Sequence, residues 1–123
     1  MKSKKLSETI IKNFKSNGFV LSEPDVLLES DYIIERSGEK FRSSMLTFDR
    51  EDGKTMCLRP DLTVASCISF LQNKSSSKIY YSGQAYRRSG GKGANFINDQ
   101  LGIEILGSKN LINDDLKVMV LFY

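Results

Sequence analysis

The chain has 123 residues, 40% apolar and 27% charged, the balance of an ordinary soluble globular domain. A formal net charge of +3, with acidic and basic residues interleaved, argues against a dedicated nucleic-acid binder but leaves room for a local basic patch. Cys57 and Cys67, without a single histidine, supply neither a zinc ligand set nor a disulfide framework. Both are read as reduced, buried thiols of a cytoplasmic protein.

No run of about 18 apolar residues is present, so no membrane span is expected. The basic start, Met1-Lys2-Ser3-Lys4-Lys5, is not followed by the apolar stretch of a signal peptide and reads as a solvated helix start. Leu6, Ile10 and Phe14, with Ile11 alongside, recur at helical spacing, and Gly18 follows as a stop. Phe19-Val20-Leu21 is a short apolar run closed by Pro24, which cannot donate to a ladder. Residues 26–36 read as a second short helix. Met45-Leu46-Thr47-Phe48 and Thr55-Met56-Cys57-Leu58 flank the charged turn Arg50-Glu51-Asp52-Gly53-Lys54, a hairpin signal. Asp61, after Pro60, is placed to cap a helix running from Leu62 towards Leu71, and Lys74-Ser75-Ser76-Ser77-Lys78 is a polar loop.

Two strands follow, at residues 79–88 and 95–106, separated by the glycine-rich Ser89-Gly90-Gly91-Lys92-Gly93-Ala94. Alternation puts Ile97, Leu101, Ile103 and Ile105 on one face of the second strand, with Asp99 as its polar member. The other face carries Phe96, Asn98, Gln100, Gly102, Glu104 and Leu106, so Gln100 and Glu104 point the same way with bare glycine between them. In the first strand Gly83, Ala85 and Arg87 share a face. Such a face suits something lying flat on it: Glu104 can hold an ammonium, Gln100 can hydrogen-bond beside it, and Arg87 can pair with a carboxylate or phosphate. The solvent face of an antiparallel sheet has the same pattern. Glycine inside a strand favours close approach only slightly, and the pattern alone leaves both readings open.

Three segments occur in order: Leu58-Arg59-Pro60-Asp61-Leu62-Thr63, Tyr81-Ser82-Gly83-Gln84-Ala85-Tyr86-Arg87, and Gln100-Leu101-Gly102-Ile103-Glu104-Ile105-Leu106-Gly107. They resemble successive signatures of the histidyl-tRNA synthetase family, including the branch reused as the regulatory subunit of ATP phosphoribosyltransferase. Phe14-Lys15-Ser16-Asn17-Gly18-Phe19 leading to Pro24 resembles the motif 1 region (about 7–30), and residues 78–107 resemble motif 2. The resemblance implies an α+β fold, an antiparallel sheet flanked by helices, forming part of a class II aminoacyl-tRNA-synthetase core. It also implies that residues 1–123 are the N-terminal, truncated portion of one such domain, because the apolar stretch from Leu116 onward has no stop signal and the family's later motifs do not follow.

Carried over position by position, the resemblance assigns Asp61, Thr63, Gln100 and Glu104 to the α-amino group of histidine. It assigns Arg87 to the carboxylate and, in the synthetase, the α-phosphate of ATP. Ser89 stands where synthetases have a glutamate assisting adenine binding, and a glycine-rich loop replaces their basic, aromatic one. The implied role is therefore regulatory, with no catalytic residue, metal or cofactor. The protein would join a short-form ATP phosphoribosyltransferase catalytic subunit in the first step of histidine biosynthesis, with histidine as allosteric effector and homodimer contacts through motif 1, around residues 19–24. The rival readings are a truncated or divergent histidyl-tRNA synthetase, which would take tRNA as partner, and a dimerisation remnant that binds no ligand.

Overall fold

A computed structural model describes residues 2–73, 77–88 and 96–122. The glycine-rich loop, Ser89 and most of the polar loop at 74–78 lie outside the described residues. The first helix, α1 (Lys2–Ser16), packs Phe14 inward with Ile10 and Ile11. It ends where the sequence places its stop. Gly18 adopts φ 84°, its N–H reaches Lys15 O at 3.1 Å, and the Phe19 N–H reaches Phe14 O at 3.1 Å. This paired closure needs a left-handed residue, which glycine supplies without strain.

The chain then enters β1 (Val20–Leu21) and β2 (Leu27–Glu29), followed by α2 (Ser30–Ser37). The helix expected over 26–36 is thus corrected at its front. Leu27, Leu28 and Glu29 pair antiparallel with Leu58, Cys57 and Met56, and the helix begins only at Ser30. The apolar run at 26–28 fits a strand as well as a helix by pattern, and sheet pairing decides it. A 3-10 segment (Glu39–Ser44) leads to the expected hairpin, β3 (Thr47–Asp49) and β4 (Thr55–Leu58). One small sheet has the order β2-β4-β3, and its core gathers Leu28, Ile33, Met45, Cys57 and Ala65.

Helix α3 (Leu62–Asn73) connects to the long hairpin of β5 (Lys78–Tyr86) and β6 (Ile97–Ile105), and α4 (Leu111–Phe122) closes the described chain. The second sheet has the order β1-β5-β6. It is mixed rather than purely antiparallel, because β1 runs parallel to β5, with Val20 opposite Ile79. The register sets Tyr81 opposite Gly102, Gly83 opposite Gln100 and Ala85 opposite Asn98, so these residues share one face as alternation requires. The other face presents Tyr80 and Ile103 to Phe14 and Phe19, with Val118 and Leu121 of α4 packed at the margin. Among the described residues, no helix is long and apolar enough to cross a membrane.

Candidate functional site

The face of the β5–β6 hairpin away from α1 meets the N-terminus of α3, and a cleft of about 650 Å³ opens there. Asp61, Thr63, Arg87 and Gln100 line it, together with Tyr81 and with Arg36 from α2. Four of the five residues singled out from the sequence thus share one cavity. Glu104 joins it through Tyr81.

Local structure fixes each of these side chains. Asp61 caps α3 as its position before the helix suggests, its Oδ1 accepting from the Val64 N–H at 2.7 Å. A second cap comes from across the sheet, where Gln100 Oε1 accepts from the Leu62 N–H at 2.9 Å. Two of the helix's otherwise unpartnered first-turn donors are therefore satisfied by residues of the cleft. Arg87, just beyond β5, donates through Nε to Pro60 O at 2.6 Å, stands 3.8 Å from the Asp61 carboxylate, and lies over the Phe41 ring at 5.4 Å. A guanidinium held by a carbonyl, a carboxylate and a ring face is fixed in orientation.

Thr63 and Glu104 are linked by a residue whose role the sequence did not disclose. The Tyr81 hydroxyl and Thr63 Oγ1 are 3.0 Å apart, and the Tyr81 hydroxyl donates to Glu104 Oε1 at 3.4 Å. Tyr81 is 8% exposed, and burial is the main cause raising its phenol pKa above the usual value; the Glu104 carboxylate works in the same direction. The phenol thus stays protonated and can donate across the neutral range.

The glycines also acquire a different explanation. A Cβ added at Gly102 would lie 2.5 Å from the Tyr81 hydroxyl oxygen and 2.6 Å from Cζ. A Cβ at Gly83 would meet Arg59 Nη2 at 3.0 Å and the Leu62 methyls at 3.7 Å. The space above both glycines is taken by the protein's own side chains rather than left for a ligand lying flat, and the cleft lies beside them. Arg59, quoted in a motif but given no role, is a structural tie. Its Nε donates to Gln84 O and its Nη1 to Pro24 O, each at 2.7 Å. Cys57 is fully buried, its thiol pushed up to about 11 by desolvation, whereas Cys67 on α3 is only half-buried, contrary to the expectation for both.

The cleft combines two guanidinium groups, Arg36 and Arg87, with the carboxylates of Asp61 and Asp99, hydroxyls and a carboxamide. Mixed charge of this kind matches a small zwitterion, which offers an ammonium and a carboxylate at fixed separation. The family model of histidyl-tRNA synthetase matches residues 1–123. The chain belongs to the histidyl-tRNA synthetase family. It is 27% identical over 103 residues to the ATP phosphoribosyltransferase regulatory subunit of Chelativorans sp. (strain BNC1), covering 82% of this chain and 27% of that protein. It is 27% identical over 114 residues to the protein of the same name from Mesorhizobium japonicum, covering 91% of this chain and 30% of that one. The fold also resembles a solved ATP phosphoribosyltransferase regulatory subunit/histidyl-tRNA synthetase from Bacillus halodurans, with a TM-score of 0.80 and 20% identity. That match covers 97% of this chain and 31% of the other. The family member described here thus has a class II synthetase-like α+β fold, and spans under a third of the length of these curated relatives.

Proposed function

We propose that this protein acts in a regulatory subunit of ATP phosphoribosyltransferase and binds histidine in the cleft between α3 and the β5–β6 hairpin. The observation that carries this reading is the mixed-charge cleft, in which Asp61, Thr63, Arg87 and Gln100 converge on a family frame whose curated relatives bear that name. The ammonium of the amino acid is held by Asp61, Thr63 and Gln100, with Glu104 completing the acidic side through Tyr81. Arg87 takes its carboxylate. The role is not catalytic in this reading, since Ser89 stands in place of the synthetase's adenine-assisting glutamate. The partner is a short-form catalytic subunit in the cytoplasm, and a second copy of this chain docks along the motif 1 region at residues 7–30. Histidine inhibits by binding one assembly state more tightly than the other, which is the only way a ligand shifts such an equilibrium.

The test measures phosphoribosyl transfer by the organism's short catalytic subunit, with and without this chain, across histidine concentrations. Stimulation by the chain that histidine reverses, and that R87Q makes insensitive to histidine, supports the reading. Unchanged transfer in the presence of correctly folded chain overturns the regulatory role. Stimulation that histidine never reverses removes the effector and leaves the partner.

A further inference from the structure

A second cleft, of about 490 Å³, lies on the other side of Arg59, along the edge of β5 that β1 leaves uncovered. The Ser22 N–H reaches Tyr80 O at 2.8 Å, and Arg59 Nε reaches Gln84 O at 2.7 Å. The edge is therefore covered at Tyr80 and at Gln84, with the exposed Ser82 between them. Lys15, Ser22, Glu23, Arg59 and Ser82 are the polar residues that line it.

Arg59 is the unusual member. It is only 8% exposed, yet its side chain bonds two neutral carbonyl oxygens, Gln84 O through Nε and Pro24 O through Nη1. Among the described residues it makes no ion pair. A guanidinium withdrawn from water without a counter-charge is costly, and its remaining donors gain most from an anion. Lys15 supplies a second cation, against the single carboxylate of Glu23, and Ser22 and Ser82 add hydroxyl donors.

We infer that this cleft binds a small oxyanion, with the unshared edge of the Arg59 guanidinium as its anchor and Lys15, Ser22 and Ser82 around the rim. A phosphate group and a carboxylate offer the same recognition chemistry; the free ion is the occupant inferred here, and phosphate, with more acceptor oxygens, fits the greater number of donors. The site is separate from the Arg87 cleft and does not depend on the regulatory reading.

The experiment titrates the full chain with inorganic phosphate, and in parallel with acetate, at constant ionic strength. It follows the backbone amides of Lys15, Ser22 and Ser82 and the Arg59 Nε–H by NMR. Saturable shifts of these signals are expected. Lys15→Ala should weaken the binding about 3- to 10-fold, Glu23→Gln should tighten it about 2- to 5-fold, and R87Q, in the other cleft, should leave it unchanged. These surface variants keep the test independent of Arg59 substitutions, which remove two internal hydrogen bonds and can unfold the chain. Stronger saturation with phosphate than with acetate supports a phosphate group, and the reverse a carboxylate. Shifts that fail to saturate, that ignore Lys15→Ala, or that vanish in R87Q overturn the inference. Shifts that follow protein concentration instead of added ion also overturn it, and identify the occupant as a side chain of a second copy.

Discussion

Replacing Gly102 by alanine probes the contact that organises the Arg87 cleft. The new methyl would sit 2.5–2.9 Å from the hydroxyl, Cζ and Cε2 of Tyr81, closer than carbon and ring atoms tolerate. The ring has to move, and it takes with it the 3.0 Å contact to Thr63 and the 3.4 Å bond to Glu104. Overpacking of a buried position costs about 1–3 kcal/mol, and losing the hydroxyl's bonds adds about 1 kcal/mol. The alanine restores about 0.5–1 kcal/mol through reduced backbone freedom in a strand. The expected net loss is about 1–3.5 kcal/mol, measurable by urea unfolding followed by far-UV circular dichroism. Specificity comes from the background. With Tyr81→Phe the ring still blocks the methyl and most of the cost remains, whereas with Tyr81→Leu it should shrink towards zero. A G102A variant as stable as wild type, or one whose cost is equal with and without the aromatic ring, would refute the reasoning.

Other outcomes follow from individual contacts. Asp61→Ala removes the Val64 cap and should cost about 1 kcal/mol, while Asp61→Asn keeps a capping oxygen, should hold stability nearly constant in thermal melts, and under the proposed function should weaken histidine binding by calorimetry. The Ser66 hydroxyl is buried with no hydrogen-bond partner among the described residues, so Ser66→Ala should be neutral or stabilising by up to about 1 kcal/mol in urea titration. Burial raises the pKa of both Cys57 and Tyr81, so each contributes stability fully present below its unfolded value and lost as pH climbs past it. For Cys57 the window runs from 9.0 to about 11. Urea midpoints at a series of pH values should fall across that range, and Cys57→Ala should flatten the slope there.

Much of the fold was legible because its signals were strong and local. Helical spacing of Leu6, Ile10 and Phe14 with Gly18 behind them leaves little choice, and neither does Asp61 before an apolar run. Alternation gave the two faces of β6, and with them the common side of Gln100 and Glu104. What failed depended on partners distant in sequence. Leu27, Leu28 and Glu29 become a strand only because β4 lies beside them, and β1 finds its parallel partner only in β5, far along the chain. The same holds for the site. Strand alternation pointed to Arg87 and Gln100 and the family resemblance added Asp61 and Thr63, but Tyr81 sits on the strand face directly opposite Gly102, and its bridging role requires the register. An unbroken run of large residues facing a glycine on the neighbouring strand is the signal that register knowledge would have supplied. Arg59 was hidden for a related reason: nothing in its local sequence distinguishes a surface arginine from one tied to two carbonyls.

The parallel seam between β1 and β5 also has a consequence in time. Its two pairings, Val20 with Ile79 and Leu21 with Tyr80, join points 59 residues apart (79 − 20 and 80 − 21), whereas β3–β4 and β5–β6 are hairpins of neighbouring strands. Contacts that close long loops form after local ones, because chain entropy must be given up before they return anything. The hairpins and α3 are therefore expected to form before α1 and β1 dock on them. Pro24, which anchors Arg59, and Ser22, which covers the edge of β5, travel with that final segment. The Arg87 cleft is lined without the N-terminal arm, whereas the Arg59 cleft needs it, so occupancy of the second would register whether α1 and β1 have docked.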